Sequence, residues 1–180
     1  GKYTADISYL EKAYSKKTKA VMLPHLIGNF IDLPAVRKFC DKHKLIFIED
    51  SCDTIGGKFK GRPSGHWSDI TTTSFYASHI ITAAGGGGML MLNDKKLRER
   101  ARIFRDWGRG ISKHDEKIRS RLSTFKIDNK PYDSAFVFVE RGYQMKPTEI
   151  QSAFAQAQLK RLNEFTQTRK HNFSRLCNFF

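Results

Sequence analysis

The sequence contains few cysteines and no long apolar run. Its three cysteines, Cys40, Cys52 and Cys177, show no CxxC spacing, which argues against a disulfide framework or a zinc site and is typical of a reducing compartment. The apolar runs are much shorter than the roughly 20 residues that span a bilayer, and the first residues do not lead into a signal-peptide core. Internal repeats, linkers and low-complexity segments are absent as well. We therefore expect a soluble, cytoplasmic protein with no membrane partner.

Positive charge is in excess. The chain has 32 Lys and Arg against 18 Asp and Glu, a formal net charge of +14, and such an excess can favour nucleic acid through neutralisation of phosphates. The densest basic stretch, residues 95–121, is interrupted by acids and begins with helical periodicity, so a solvated helix face is the simpler interpretation. No DNA- or RNA-binding motif accompanies it, and we expect no nucleic-acid partner. A basic surface also suits an anionic small substrate or an acidic portion of a larger protein.

The hydrophobic pattern of residues 18–50 predicts a strand, a helix and a second strand. The apolar run TKAVMLPH is followed by a helical pattern, for which Asp32 is a suitable N-cap and Pro34 lies in the first turn. The run LIFIED, which ends in Glu49 and Asp50, then predicts a buried strand. This alternation with short connections is the signature of a right-handed crossover in a parallel sheet, so we predict an α/β fold with flanking helices.

Further elements are predicted downstream. After a glycine-rich loop, ITTTSFY and GGMLMLND predict two strands, and Asp94 can cap a helix over residues 95–104. The polar stretch of about 30 residues after Gly108 shows little periodicity and is predicted to be a functional or a mobile loop. From Pro147 to about Cys177 an apolar stripe predicts one long helix.

Reactive side chains follow two of the predicted strands. Asp50 and Asp53 stand at the end of LIFIED and just after it, and Tyr76 to His79 stand at the end of ITTTSFY and just after it. Ligands bind beyond the carboxyl ends of the strands in an open parallel sheet, so these side chains share one crevice if the two strands are neighbours. Each also has a structural alternative, which is a helix or turn cap for either aspartate and a hydrogen-bonded structural role for the histidine.

A carboxylate at the end of a buried strand can keep a heteroaromatic nitrogen protonated, because opposite charges attract strongly where water is excluded. Pyridoxal cofactors need such a partner, since they act as electron sinks only while the pyridine nitrogen is cationic, and they also need groups that bind a phosphate. Ser74 and the amides near the turn could supply phosphate contacts. The spacing of these residues does not by itself identify the cofactor.

Four stretches, taken together and in order, resemble the sugar aminotransferase family of fold-type I pyridoxal-phosphate proteins. More narrowly, they are similar to its 3-dehydratases of nucleotide-linked 4-keto-6-deoxyhexoses. The stretches are TKAVMLPHLIGNFIDLPAV, LIFIEDSCDTIGGKFKGRPSGHWSDITTTSFY, FRDWGR and GYQMKPTEIQSAFAQAQLKRL. The resemblance implies that residues 1–180 are the central segment of the cofactor-binding large domain, without the family's N-terminal strands and C-terminal small domain. The helix of about residues 147–177 would lead toward that small domain. A homodimer and a role in deoxysugar biosynthesis for O-antigen or other lipopolysaccharide are implied as well.

In aminotransferases of this family, the turn after SFY carries a lysine that bonds covalently to pyridoxal phosphate (PLP). His79 occupies that position here, as in the 3-dehydratases, and imidazole cannot form a stable bond of this kind with the cofactor aldehyde. The resemblance implies that pyridoxamine phosphate (PMP) is held noncovalently and that its amine condenses with the C4 ketone of the sugar. His79 would then take a proton from the C4′ carbon of the cofactor and assist loss of the C3 hydroxyl.

The resemblance assigns roles to five more residues. Asp50 would pair with the pyridinium nitrogen, and Asp53 would lie beside the ring. Ser74 would contact the phosphate, and Tyr76 would line the site near the ring. Gln144 stands where relatives carry an asparagine that reaches the phosphate of a neighbouring subunit, and its longer side chain shifts that contact by about one methylene.

Residues 109–141 contain no cysteine, whereas the branch of the family that uses an iron–sulfur cluster carries several there. Because such a cluster needs four thiolates, we expect none, and we expect a nucleotide-linked 4-keto-6-deoxysugar to react by the cluster-free route to a 3-deoxy ketosugar. Three alternatives stay open. The chain could be an inactive member or a subunit that needs a complementing chain, it could be a protein similar to a sugar aminotransferase, or it could bind nucleic acid through its basic surface.

Overall fold

A computed structural model describes residues 3–110, 125–133 and 136–180 of the chain. The chain forms two compact units. The first consists of Gly1–Leu92 together with Thr148–Phe180, and the second consists of Asn93–Pro147. All predicted site residues except Gln144 therefore belong to the first unit.

Helices and strands alternate along the described residues. In chain order the elements are α1 (Leu10–Ala13), β1 (Ala20–Pro24), α2 (Leu33–His43), β2 (Ile46–Asp50), β3 (Lys58–Phe59), β4 (Arg62–Pro63), β5 (Ile70–Ser74), β6 (Gly88–Leu92), α3 (Lys95–Arg105), β7 (Phe125–Ile127), β8 (Lys130–Tyr132), α4 (Glu149–Lys160) and α5 (Leu162–Phe179). Short 3-10 turns precede α1 (Ile7–Tyr9) and follow β1 (Leu26–Gly28). Within the described ranges, no helix combines the length and the apolarity needed to cross a bilayer.

A four-stranded sheet with the strand order β1-β2-β5-β6 forms the centre of the first unit. β1, β2 and β5 are parallel, whereas β6 pairs antiparallel with β5. The predicted α/β fold with a mostly parallel sheet is therefore confirmed. β6 reverses direction because it follows β5 through a connection without a helix, and such connections join antiparallel neighbours.

Helix α2 packs on β2 and holds that strand in place. As predicted, the Asp32 carboxylate caps the helix, accepting a hydrogen bond of 3.2 Å from the Ala35 amide. The buried face of the helix, which includes Val36 and Phe39, shares one apolar core with Phe47 of β2. Burying each large apolar side chain contributes about 1.5–3 kcal/mol. This core fixes the strand that ends in Asp50.

The C-terminal helix predicted over residues 147–177 is divided into α4 and α5 at Arg161. Thr148 and Gln151 form a capping box at the start of α4, since each side chain bonds the backbone amide of the other. The break left no trace in the apolar pattern because Arg161 keeps a near-helical backbone, with φ −92° and ψ −1°. The periodicity therefore continues almost undisturbed from one helix to the next.

A second apolar cluster supports the turn after β5. Phe75, Ile81 and Ala83 are buried there and pack against Leu162 and Phe165 of α5. The residues on both sides of the turn are thus anchored, while its tip, residues 76–80, stays partly or fully exposed, with Ile80 packed against the cluster.

Two short hairpins were not predicted from the hydrophobic pattern. β3 pairs with β4 inside the glycine-rich loop, and β7 pairs with β8 in the second unit. Strands of two or three residues are too short to show alternation. The β7–β8 turn did carry a sequence signal, which is the pair Asp128–Asn129. Both residues have positive φ (49° and 63°), as the favoured two-residue hairpin turns require.

The second unit begins with α3, whose N-terminus confirms another predicted cap. The Asp94 carboxylate accepts a hydrogen bond of 2.8 Å from the Leu97 amide. The predicted polar loop after Gly108 falls largely on residues 111–124, which lie outside the described residues. Gly108 needs to be glycine, because it has φ +82° and a Cβ atom there would overlap the Glu140 carbonyl.

Candidate functional site

The carboxyl ends of β2 and β5 lie side by side. Asp50, the last residue of β2, is in register with Thr72 of β5, and Ser74 is the last residue of β5. The Ser51 amide continues the ladder by donating to the Thr72 carbonyl at 2.8 Å. The condition for a shared crevice, that these two strands are neighbours, is therefore met.

His79 lies at the tip of a turn that closes immediately after β5. Its amide donates to the Tyr76 carbonyl at 3.0 Å, and the Ala83 amide donates to the Phe75 carbonyl at 3.0 Å. The His79 side chain is 23% exposed, and its ring meets the Tyr76 ring edge-on at 6.2 Å between centroids. This placement leaves the imidazole fixed by its backbone but open to solvent or a ligand on one side.

Asp53 contacts His79 and a second turn at the same time. Its Oδ1 atom lies 3.2 Å from Nδ1 of His79, and its Oδ2 atom accepts a hydrogen bond of 3.1 Å from the Ile27 amide. The turn-capping role considered from sequence and the proximity to His79 are thus both present. The sequence predicted that Asp53 and His79 share a crevice, but gave no sign that Ile27 takes part.

Asp50 is the last residue of β2, and its carboxylate accepts a hydrogen bond from the loop that follows. Its Oδ1 atom accepts a hydrogen bond of 3.1 Å from the Cys52 amide. Burial, a hydrogen bond to Asp50 and the charges of Asp50 and Asp53 raise the pKa of the Cys52 thiol to about 12. Cys52 therefore stays a protonated donor near neutral pH, which leaves the negative charge of this region on the two aspartates.

The other three predicted site residues, Ser74, Tyr76 and Gln144, make no contact with Asp53 or Asp50 through a side-chain hydrogen bond in the described part of the chain. Ser74 Oγ accepts a hydrogen bond of 3.1 Å from the Tyr76 amide, so its own hydrogen can still be donated to a ligand. The Tyr76 side chain is exposed. Gln144 lies in the second unit, where it forms an isolated β-bridge with Asp106.

A buried histidine–glutamate pair beneath the strand ends was missed. His25 and Glu49 are both fully buried, with Nε2 and Oε1 2.9 Å apart. Glu49 is satisfied by four donors, which are His25, Ser51 and Ser68 through their side chains and Gly65 through its amide. Burial raises the pKa of the Glu49 carboxyl, but the bonds from His25, the Gly65 amide and Ser51 outweigh it and hold that pKa below its ordinary value. The sequence signal that could have shown this pair was a polar residue near the end of each apolar run, His25 in TKAVMLPH and Glu49 in LIFIED.

The hydrogen bonds also define the tautomer of His25. Nε2 faces the carboxylate of Glu49, which only accepts, and Nδ1 lies 3.5 Å from the Ile31 amide, which only donates. These contacts place a ring proton on Nε2, toward Glu49, and leave Nδ1 toward the Ile31 amide. His25 begins the turn of residues 25–28 that carries the Ile27 amide.

A cavity of about 200 Å³ opens beside Asp53. Its walls include the loop of residues 54–57, Ile80 and the basic side chains of Arg169 and Lys170. Arg169 donates to the Ile80 carbonyl at 3.3 Å, which ties α5 to the turn that carries His79. Two cations and one carboxylate give the walls a net positive charge, which suits an anionic ligand.

The sheet order and the residues at the ends of β2 and β5 define an α/β protein with a ligand crevice at the carboxyl edge of its sheet. The chain belongs to the DegT/DnrJ/EryC1/StrS aminotransferase family, which it matches over residues 1–180. This confirms the resemblance drawn from the sequence motifs. The family depends on PLP or PMP, as the sequence comparison implied.

Several curated relatives and solved structures are similar to this chain. The lipopolysaccharide biosynthesis protein RfbH of Salmonella typhimurium is 38% identical, over 97% of this chain and 40% of its own length. The dTDP-4-dehydro-2,6-dideoxy-D-glucose 3-dehydratase of Saccharopolyspora spinosa is 33% identical, over 98% of this chain and 39% of its own length. The structure of an E. coli GDP-4-keto-6-deoxy-D-mannose-3-dehydratase with bound hydrated PLP superposes with a TM-score of 0.77 at 25% identity, covering 95% of this chain and 43% of that one. The chain thus spans about 40% of the length of the relatives it matches.

Proposed function

We propose that this chain is the cofactor-binding core of a PLP- or PMP-dependent 3-dehydratase, which removes the C3 hydroxyl of a nucleotide-linked 4-keto-6-deoxyhexose. The observation that carries the proposal is His79, on the turn after β5, with the Asp53 carboxylate 3.2 Å from its ring; the sequence motifs assign it to the position of the family's lysine. The relatives named as 3-dehydratases support this reaction. Lipopolysaccharide biosynthesis, the role that the name of RfbH gives, is the corresponding biological setting.

The residues at the strand ends fit the cofactor. Asp50 presents a carboxylate at the carboxyl end of β2, suited to a pyridinium nitrogen. The neighbouring Cys52 thiol, with a pKa of about 12, stays uncharged near neutral pH and offers the pyridinium no second anion. Ser74 has a hydroxyl hydrogen to donate to a phosphate oxygen. When bound, the cofactor supplies the amine and the electron sink that allow loss of the C3 hydroxyl. The second-unit residue Gln144 is proposed as a weaker phosphate contact in a homodimer.

His79 acts in this scheme as a general base and acid. An imidazole is suited to exchange a proton near neutral pH, and the partly exposed ring can take a proton from the C4′ carbon of the cofactor. It can then return that proton toward the departing C3 hydroxyl. Amino transfer, the other activity found in the family, is less well supported, because His79 offers no primary amine for covalent attachment.

Replacing His79 tests the proposal. His79→Asn keeps a polar side chain of similar size but exchanges no proton, so sugar dehydration should fall by about 10²–10⁴-fold, the usual share of a general base. His79→Lys should instead attach PLP covalently, which borohydride reduction and mass spectrometry would detect on that residue. Unchanged turnover in His79→Asn, or no adduct in His79→Lys under conditions where PLP binds, would contradict the assignment.

Asp50→Asn tests the cofactor contact without relying on turnover. Spectroscopic titration with PMP should show weaker binding, because the amide cannot neutralise a pyridinium cation. The same variant should make Cys52 react faster with iodoacetamide, since one cause of its raised pKa is gone. Asp41→Asn, an exposed acid on α2 that pairs with Arg37, is the matched control. Equal PMP affinity in the wild type and Asp50→Asn would remove Asp50 from the site.

A further inference from the structure

The position of Asp53 between two turns has a consequence for the chemistry of His79. The carboxylate has one oxygen on each partner, with Oδ1 3.2 Å from Nδ1 of His79 and Oδ2 3.1 Å from the Ile27 amide. When a donor binds one oxygen of a carboxylate, the direction of the other oxygen is fixed as well. The Ile27 contact therefore determines which direction Asp53 offers to the imidazole.

The turn that holds Asp53 is unusual in its backbone. Ile27 has φ 55° and ψ 32°, a left-handed conformation that is unfavourable for a β-branched residue. Gly28 follows with φ +77°, and a Cβ atom there would lie 3.3 Å from the Asp53 carbonyl. The turn thus bonds the side chain of Asp53 through Ile27, and at Gly28 it passes too close to the Asp53 backbone to leave free space for a side chain. Its first residue, His25, is fixed to the sheet by the buried bond to Glu49.

The two nitrogens of His79 are consequently not equivalent. A neutral imidazole carries one proton, and a carboxylate facing Nδ1 favours the tautomer with the proton on that atom. Nε2 is then the nitrogen with an available lone pair. His25 has the opposite arrangement, because its Nε2 faces Glu49 and its Nδ1 accepts from Ile31.

We propose that Asp53 is a positioning residue that holds His79 in the Nδ1-protonated tautomer, with the turn of residues 25–28 orienting the Asp53 carboxylate. Nε2 is thereby the atom that exchanges the proton. This inference rests on the proposed function for its catalytic meaning, but the tautomer and the contacts are properties of the chain itself.

Nitrogen-15 NMR of the histidine rings in the full chain, without cofactor, tests the proposal. His79→Asn assigns the His79 signals, which in the wild type at a pH where the ring is neutral should show a proton on Nδ1. Asp53→Ala should move the ring toward the Nε2-protonated form, and Asp53→Asn should give a mixture, because an amide oxygen accepts more weakly. A tautomer unchanged in both variants would overturn the proposal. If Asp53→Ala fails to fold, the comparison of the wild type with Asp53→Asn decides in the same way.

The matched control is a second carboxylate–imidazole contact, on the surface. Glu11 Oε2 lies 3.1 Å from Nε2 of His43, so Glu11→Gln should alter the His43 signals and leave those of His79 unchanged. The His25 signals report on the buried pair and should be the same in every folded variant. A change of the His25 signals in Asp53→Asn would mean that the substitution disturbs the fold rather than one ring.

Hydrogen exchange tests the second half of the proposal. Ile27 is 68% exposed, and the hydrogen bond to Asp53 is the contact that should protect its amide. Asp53→Ala should speed exchange at Ile27 by about tenfold, the equivalent of one ordinary hydrogen bond. An unchanged exchange rate would show that the turn does not orient Asp53.

Kinetics separate the two proposals from each other. In an active dehydratase, Asp53→Asn should lower kcat by about 10–100-fold with little change in KM, less than the loss of the base itself. If the NMR result holds but His79→Asn leaves dehydration intact, only the proposed function fails. If His79→Asn abolishes dehydration but the tautomer does not depend on Asp53, only the positioning role fails.

Discussion

Two carboxylate–imidazole pairs lie close to the carboxyl edge of the same sheet, yet their surroundings differ. In the pair His25–Glu49 both side chains are fully buried, with the bonded atoms 2.9 Å apart. In the pair His79–Asp53 the side chains are 23% and 41% exposed, and the nearest atoms are 3.2 Å apart. The same two functional groups therefore occur once in a dry environment and once in contact with solvent.

Because it is buried, the pair His25–Glu49 serves the stability of the fold. Glu49 is surrounded by donors and His25 has a hydrogen-bond partner at each ring nitrogen, so neither group can change its protonation state without breaking a bond. The second pair has a solvent-facing side, and a proton can reach it. Burial, rather than residue type, separates a structural histidine from one that can take part in a reaction.

The largest expected effect comes from breaking the buried pair. Glu49→Ala leaves His25, two hydroxyls and one amide without their acceptor, and each unsatisfied buried donor costs about 1–3 kcal/mol, so the free energy of unfolding should fall by several kcal/mol. Urea denaturation followed by circular dichroism measures this change. Glu11→Ala removes an exposed glutamate that also contacts a histidine, and it should have little effect. Similar losses in the two variants would erase the distinction between dry and exposed pairs.

Acid should weaken the buried pair selectively. The pKa of Glu49 is lower in the folded chain than its ordinary value of 4.5, so the unfolded chain takes up a proton first as the pH falls. The stabilisation from Glu49 is therefore fully present above about pH 4.5 and is lost as the pH drops through the folded pKa. Glu49→Gln should flatten the pH dependence of unfolding in this window. Glu11, whose pKa is also lowered by Lys42 and His43, should contribute a part of the pH dependence that salt removes. Identical pH profiles of unfolding for the wild type and Glu49→Gln would show that Glu49 does not contribute to the acid sensitivity.

The exposed pair should matter much less for stability. Asp53→Ala removes one hydrogen bond and one screened contact, so the free energy of unfolding should fall by about 1 kcal/mol or less. Thermal and urea unfolding of the variant beside Glu49→Ala gives the comparison directly. A loss as large as that of Glu49→Ala would mean that Asp53 is primarily structural.

The smallest effect is expected at the turn between the two pairs. Ile27→Gly keeps the amide that donates to Asp53 and relieves a left-handed conformation costing about 1–2 kcal/mol, against a loss of about 0.5–1 kcal/mol from the flexibility of glycine. The net result should be a gain of up to about 1 kcal/mol in the free energy of unfolding. A clear loss of stability would show that the exposed Ile27 side chain makes contacts that outweigh the strain.

Local features were predictable because they depend on neighbouring residues. The caps at Asp32 and Asp94 follow from one side chain placed before an apolar helical pattern. The strand ending at Asp50 follows from an apolar run of the right length. The strand predicted over ITTTSFY is present too, but it ends two residues earlier, at Ser74. The break at Arg161 and the hairpin of β3 and β4 were not predictable, since neither changes the hydrophobic period.

The candidate site was predictable in composition but not in its contacts. Asp50, Asp53 and His79 were selected as residues that follow strands, and the family motifs assigned them roles. That Asp53 bridges His79 and Ile27, and that His25 pairs with Glu49, depends on which strands are neighbours. No periodicity along the chain reports that order.

By itself, the sequence indicated the family, the order of the longer helices and strands, and a histidine at the position that the family motifs assign to the lysine of the aminotransferases. Only the tertiary structure decided which imidazole is dry and which is open to solvent, and which ring nitrogen faces a carboxylate. The physical reason is that burial and hydrogen bonding arise between segments far apart in the chain. The sheet order β1-β2-β5-β6 brings those segments together.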